Sequence, residues 1–198
     1  MHRQTARELN KREFTTTFNV TRQEATPNEM VIEGYFALYE SETELFTNMY
    51  EIITKGAFDN TLNNDIRALW NHNTQYVLGR NKSGTLELKA DDKGLYGVVK
   101  MPNTAYAQDV YQLIKRGDVD QCSFGFNILN ETVEELANGG IRWRINDIDL
   151  HEISVVTFPQ YENTTVQARA AQVEGMQQRK LDATKAALTK RLGVFKKC

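Results

Sequence analysis

The stretch Gln121-Cys-Ser-Phe-Gly-Phe-Asn-Ile128 predicts a β strand whose two faces differ in chemistry. Side chains alternate across a strand, so one face carries the apolar Cys122, Phe124, Phe126 and Ile128. The opposite face carries Ser123, Gly125 and Asn127. Gly125 is expected to leave open space beside the Ser123 hydroxyl, where a substrate backbone could approach. Ser123 is therefore either a candidate nucleophile or an ordinary serine on the solvent side of a strand.

A helix is predicted directly before this strand. Pro102-Asn103-Thr104 provides a break and an N-cap, and Lys115-Arg116-Gly117 provides basic last-turn residues and a C-terminal glycine. Ser123 thus follows a helix, whereas the nucleophile elbow of α/β-hydrolases needs Gly-x-Ser-x-Gly between a strand and the next helix. Because Gln121 stands where the first glycine would be, the sequence argues against that fold.

Any base for Ser123 must come from elsewhere in the chain, which has histidines only at positions 2, 72 and 151. Residues 66 to 76 are interpreted as a strand in which Ala68, Trp70 and His72 face the same way. Trp70 would then wall one side of the imidazole. His72 is a candidate partner for Ser123, and the alternative is a histidine that merely lies near a strand end.

A third partner is expected in the strand that runs from Asp147 to Phe158 and is ended by Pro159. In a regular strand His151 shares a face with Ile153 and Val155. Glu152 shares the other face with Leu150, Ser154 and Val156. Only one of the two can face a given site, and neither face is polar enough for the pattern to decide between them.

The remaining segments predict further β structure. Residues 13 to 21 and 30 to 39 alternate around a turn at Pro27-Asn28 and are interpreted as an opening hairpin. Residues 84 to 89 and 94 to 100 flank the polar turn 90 to 93 and predict a second hairpin. Residues 58 to 63 are expected to form a short helix or helical turn.

Size and composition indicate one globular domain with a single core. The chain has 198 residues, of which 40% are hydrophobic and 25% charged. No apolar run approaches the roughly 20 residues of a membrane span, and the polar start lacks a signal-peptide core, so a cytosolic protein is expected. The two cysteines, Cys122 and Cys198, predict neither a disulfide framework nor a zinc site. Cys122 is expected to be a core residue.

Charge divides the chain into three parts, which are the predicted domains. Residues 1 to 12 form a basic arm of net charge +3, and residues 169 to 198 are expected to form a basic, helical and cleavable tail of net charge +6. With a total of −2, the body from 13 to 168 carries −11. An acidic body argues against duplex DNA as the main ligand. The basic arms suit an acidic partner, or are simply solvated.

Five segments together resemble a known family. They are Gly34-Tyr-Phe-Ala, Lys55-Gly-Ala-Phe, Trp70-Asn-His-Asn, Gln121-Cys-Ser-Phe-Gly-Phe and Leu150-His-Glu-Ile-Ser-Val-Val-Thr-Phe-Pro. In this order they are similar to the signatures of the prohead proteases of tailed bacteriophages, a family related to herpesvirus assemblin. The resemblance implies an α+β fold with a mostly antiparallel, barrel-like, assemblin-like core and flanking helices.

The resemblance also implies site residues and partners. Ser123 matches the nucleophile, His72 the general base and Glu152 the acidic third member, while His151 stays an alternative because the related viral proteases use a second histidine. The expected substrates are the scaffold segment of the major capsid protein or a separate scaffolding protein, and finally the protease itself. It would act inside the assembling prohead in the host cytoplasm, as a homodimer, without membrane, specific nucleic acid or cofactor.

Other functions remain compatible with the residues alone. One is a non-catalytic β-rich virion or assembly protein in which the three side chains are structural. Another is a hydrolase of non-peptide esters, because the same triad serves any acyl transfer. A metalloenzyme fits least, since the sequence has no His-Glu-x-x-His motif or clustered ligand set.

Overall fold

The fold was obtained as a computed structural model that describes residues 10–15, 18–21, 29–158 and 163–195. Within these residues the chain forms eleven strands, two α helices and a three-residue 3₁₀ helix. In chain order they are β1 (Asn10–Thr15), β2 (Asn19–Thr21), β3 (Met30–Leu38), β4 (Thr43–Phe46), β5 (Met49–Ile53), β6 (Arg67–Trp70), β7 (Asn73–Arg80), the 3₁₀ helix (Asn81–Ser83), β8 (Leu86–Ala90), β9 (Gly94–Met101), α1 (Ala105–Arg116), β10 (Gln121–Glu135), β11 (Ile141–Val156) and α2 (Asn163–Phe195).

The larger sheet is built on the long antiparallel hairpin of β10 and β11. One edge of β11 pairs with β10, and the other edge is shared by two parallel neighbours, β5 along 141–145 and β6 along 152–155. β1 lies on the outer edge of β10, β4 pairs with β5, and β7 pairs with β6. The strand that carries Ser123 is therefore flanked on both sides, as a site inside a sheet requires.

A second sheet has the strand order β2-β3-β9-β8 and is antiparallel throughout. Together with α1 it contributes to one hydrophobic cluster that also includes the apolar face of β10. Phe58 packs edge-on against Phe124 at 5.8 Å between ring centroids, and the Cys122 thiol donates to the Phe36 carbonyl at 3.7 Å. This burial confirms Cys122 as a core residue.

The predicted α+β, mostly antiparallel architecture is confirmed in this general form. In the described part of the chain, seven of the nine strand pairings are antiparallel and two are parallel. Among the described residues the strands form two separate sheets and no closed barrel.

Two local predictions agree with the structure. β8 and β9 form the predicted hairpin, and its turn is held by Asp91, whose Oδ1 accepts from the Lys93 backbone N–H at 2.8 Å. α1 ends at Gly117 in the left-handed conformation, with φ of 80°. Its apolar residues Val110 and Ile114 are buried, as their helical spacing predicts.

Two other predictions agree with the structure only in part. β2 pairs antiparallel with β3, as the opening hairpin predicts, but β1 pairs with β10 in the larger sheet, so the stretch 13–21 is divided between the two sheets. The proposed turn at Pro27-Asn28 lies outside the described residues. Residues 58–63, predicted as a short helix or a helical turn, lie in a series of turns over residues 54–64. Each turn is closed by a backbone hydrogen bond from the N–H of residue i+3 to the carbonyl of residue i, such as Thr61 N–H to Phe58 O.

The chain divides into two compact units, residues 1–161 and 162–198. The second contains α2, which spans 33 residues. No helix of the described residues is both long and apolar enough to span a bilayer.

Candidate active site

Ser123 is fully buried, with no exposed surface, although it lies on the face of β10 opposite the core residues Cys122 and Phe124. Its Oγ makes no hydrogen bond with any residue that the structure describes. The strand faces are as the alternation predicts. The open space expected beside Gly125 is not found, because a Cβ built there would lie 2.5 Å from Glu152 Oε1. Because Gly125 has no side chain, the Glu152 carboxylate fits in this space.

A β-bulge at His151 brings Glu152 to this face. Gly125 pairs with Glu152, but the next residue, Phe126, pairs with Leu150, so His151 is an extra residue in β11. The bulge reverses the alternation, and Leu150 therefore lies with Phe126 in the core while Glu152 lies with Ser154 on the opposite face. The prediction that Leu150 and Glu152 share a face is wrong for this reason.

His72 lies in a tight turn and not in a strand. Trp70 pairs with Asn73, so β6 and β7 form a hairpin whose two turn residues are Asn71 and His72. Their φ angles are 51° and 57°. Positive φ at both positions is the signature of a type I′ turn, in which asparagine is favoured. The predicted continuous strand over residues 66 to 76 is therefore wrong, and only Asn71 indicated the turn in the sequence.

The turn is fixed to the end of β11 by backbone and side-chain hydrogen bonds. Asn71 N–H donates to the Val155 carbonyl at 2.9 Å. Asn71 Oδ1 accepts from the Thr157 backbone N–H at 2.9 Å. These contacts hold a conformation that costs a non-glycine residue on the order of 1–3 kcal/mol, and they set the position of the imidazole.

The His72 imidazole and the Glu152 carboxylate are joined by a short hydrogen bond of 2.6 Å between Nδ1 and Oε1. Both side chains are nearly buried, with 10% and 8% of their surface exposed. An ionised carboxylate can only accept, so neutral His72 carries its proton on Nδ1 and has Nε2 as an acceptor. This is the tautomer that a general base needs.

Ser123 and Glu152 lie on the same face of neighbouring strands. Ser123 is directly opposite Ser154, and Gly125 is directly opposite Glu152. Side chains opposite one another in antiparallel strands have Cβ atoms about 4.5–5.5 Å apart. The structure thus brings Ser123, Glu152 and, through its hydrogen bond, His72 to one face of the sheet. No hydrogen bond joins Ser123 Oγ to His72, and such contacts are often looser before substrate binds.

His151 lies in a different environment. Its Nε2 is 2.9 Å from Asn127 Nδ2 and 3.2 Å from Asp149 Oδ2, and its side chain is 37% exposed. The bulge therefore separates the two candidates for third member. Glu152 is hydrogen-bonded to His72, whereas His151 contacts Asn127 and Asp149 at the surface. In the described part of the chain, no three His, Cys, Asp or Glu residues form a metal-binding group.

Gly125→Ala is expected to destabilise the protein by about 1–3 kcal/mol, because the added methyl group and the Glu152 carboxylate would occupy the same space. Urea denaturation would measure the difference. In a Glu152→Ala background the substitution is expected to cost nothing, since the clashing atoms are gone. An equal loss in both backgrounds would contradict this explanation.

The sequence model of the caudovirus prohead serine protease family matches residues 16–179. No curated protein matches the chain. Among solved structures, the chain is similar to the bacteriophage T4 capsid assembly protease, gp21, at 11% identity and a TM-score of 0.49. The match covers 75% of this chain and 97% of that one. So distant a likeness assigns no role to any residue.

Proposed function

This chain belongs to the caudovirus prohead serine proteases, and on that premise we propose that it cleaves peptide bonds with a triad of Ser123, His72 and Glu152. Its membership makes it a protease of phage capsid maturation, which acts in the interior of a prohead. The observation that carries the triad is the 2.6 Å bond between His72 Nδ1 and Glu152 Oε1 on the face that holds Ser123.

The proposed reaction is acyl transfer in two steps. Ser123 Oγ attacks the peptide carbonyl, and its proton passes to His72 Nε2. As the tetrahedral intermediate collapses, the C–N bond breaks and His72 gives the proton to the leaving amine. Water, deprotonated by the same imidazole, then hydrolyses the acyl-enzyme and restores Ser123. Glu152 accepts the hydrogen bond from His72 Nδ1–H throughout the reaction. Its charge stabilises the imidazolium that forms.

Glu152 is the proposed third member in preference to His151. The third member must reach Nδ1 of the base, and Glu152 Oε1 is within hydrogen-bond distance of it. His151 is bound instead to Asn127 and Asp149. For both histidines to act on Ser123, the bulge that separates Glu152 from His151 would have to rearrange.

Ser123 has no exposed surface in this conformation. A peptide carbonyl can reach its Oγ only after neighbouring groups move, so the proposed enzyme has a closed resting state. Opening to admit substrate is common in enzymes that must exclude water from the reaction.

The finer assignments follow the family. The proposed substrates are the scaffold segment of the major capsid protein or a separate scaffolding protein, with cleavage of the enzyme's own tail as the last event. The basic arms at residues 1–12 and 169–198 are suited to acidic partners during assembly. The same proposal includes a homodimer, an assemblin-like arrangement of the core, and assembly in the host cytoplasm.

The test is to incubate the purified chain with its own phage's capsid and scaffolding proteins and to identify new termini by mass spectrometry. We expect cuts in the scaffold or the scaffold-like arm, and loss of the tail, with wild type and none with Ser123→Ala. If neither wild type nor Ser123→Ala cleaves any substrate, the chain is a non-catalytic assembly protein. If wild type cleaves small esters but neither phage protein, it is an ester hydrolase.

A further inference from the structure

We propose that Ser154 is a positioning residue, whose single hydroxyl orients both the carboxylate and the histidine turn of the triad. The proposal rests on the function assigned above and adds a fourth residue to it. Ser154 is fully buried in β11, two residues after Glu152 and directly opposite Ser123 in β10.

The Ser154 hydroxyl makes two hydrogen bonds within the site. It donates to Glu152 Oε2 at 2.5 Å. It accepts from the His72 backbone N–H at 3.3 Å. A hydroxyl has one proton to donate and two lone pairs to accept with, so these two contacts fix its orientation.

The bond to Glu152 sets the rotation of the carboxylate. The terminal torsion of a glutamate is broad, and a carboxylate held at one oxygen can swing. Here Oε1 is bound to His72 and Oε2 to Ser154, so both oxygens are held. Loss of the Ser154 hydroxyl leaves a buried oxygen without this donor, and the carboxylate is then free to rotate away from Nδ1.

The bond to His72 acts on the turn. Asn71 and His72 both have positive φ, a conformation that persists only where surrounding contacts hold it. Asn71 N–H is held by β11, and Ser154 accepts the next N–H, that of His72. The same hydroxyl therefore links the backbone of the proposed base to the carboxylate of the proposed acid.

Ser154 is not itself the nucleophile in this arrangement. Its proton is directed at Glu152, whereas Ser123 Oγ has no hydrogen bond to a described residue and can give its proton to an imidazole. Removal of Ser154 should therefore weaken cleavage without ending it. Loss of this hydrogen bond to a charged group should lower kcat roughly 10- to 100-fold, with little change in KM.

The kinetic test compares Ser154→Ala, Ser154→Cys and Ser154→Thr on the capsid protein. Cysteine fills the site but is a weak donor, and threonine keeps the hydroxyl. We expect kcat to fall in Ser154→Ala and Ser154→Cys and to recover in Ser154→Thr. In a Glu152→Ala background the Ser154 substitutions should have a smaller further effect, because only the contact with the His72 backbone N–H is left to lose. Full activity of Ser154→Ala, an equal loss in both backgrounds, or inactivity as complete as that of Ser123→Ala would each overturn the proposal.

A second readout does not depend on activity. The proton between His72 Nδ1 and Glu152 should give a far-downfield NMR signal, assigned by its absence in His72→Gln. We expect this signal to shift or broaden in Ser154→Ala and to return in Ser154→Thr, and an unchanged signal would overturn the proposal. If wild type cleaves nothing while the signal responds, the proposed function fails and the positioning role stands. If wild type and Ser154→Ala cleave equally, the proposed function stands and the positioning role fails.

Discussion

His72→Ala is expected to lower kcat for cleavage of a capsid-derived peptide by about 10⁴–10⁶-fold. Without the imidazole, nothing in the site accepts the Ser123 proton, and an alcohol is a poor nucleophile at neutral pH. The Glu152 carboxylate cannot substitute for it, because the carboxylate lies over Gly125 and is held by Ser154. Peptide hydrolysis followed by mass spectrometry over long incubations would measure the residual rate.

The double variant Ser123→Ala/His72→Ala provides the control for this prediction. Since the two residues act in one proton transfer, their combined loss should be no larger than either single loss. His2→Ala, which changes a histidine that has no role in the proposed reaction, should leave the rate unchanged. A His72→Ala protein that folds normally and keeps a tenth or more of the wild-type rate would contradict the assigned role.

The second large effect is expected for Glu152→Gln, which should lower kcat by about 10³–10⁴-fold. The amide has nearly the same shape as the carboxylate but no charge to stabilise the imidazolium. If its NH₂ group faces Nδ1, it also favours the tautomer with the proton on Nε2, which cannot accept from Ser123. Rates from pH 5 to 9 would be measured, so that a shifted optimum is not mistaken for a loss.

His151→Gln is the matched control, because it changes the neighbouring residue of the same strand. His151 is bound to Asn127 and Asp149 on a partly exposed surface. Its substitution should change the rate by less than about threefold. If His151→Gln lost activity and Glu152→Gln kept it, the third member would be His151.

Short-range patterns predicted the parts of this fold that short-range forces determine. The helix before Ser123 was indicated by Thr104 and Gly117, which lie at its two ends, and the hairpin of β8 and β9 by two alternating runs around a polar turn. The faces of β10 also followed from alternation. Such features are indicated by the spacing of apolar residues and by cap and turn residues close to one another in the chain, and a single sequence shows both.

The candidate site was only partly predictable. Ser123, His72 and Glu152 were identified through resemblance to a family, and that membership is now established. Their local conformations were not foreseen. His72 was expected in a strand and lies in a type I′ turn, and Glu152 was expected to share a face with Leu150, from which the bulge at His151 separates it.

By itself, therefore, the sequence determined the family, the helix and hairpin boundaries, and which face of the Ser123 strand is apolar. The tertiary structure alone decided that β11 would pair with β5 and β6 on one edge, that a bulge would turn Glu152 over Gly125, and that the His72 turn would reach them. The reason is that register between strands distant in the chain is set by packing and by where an extra residue is accommodated. A period-two pattern contains no information about either.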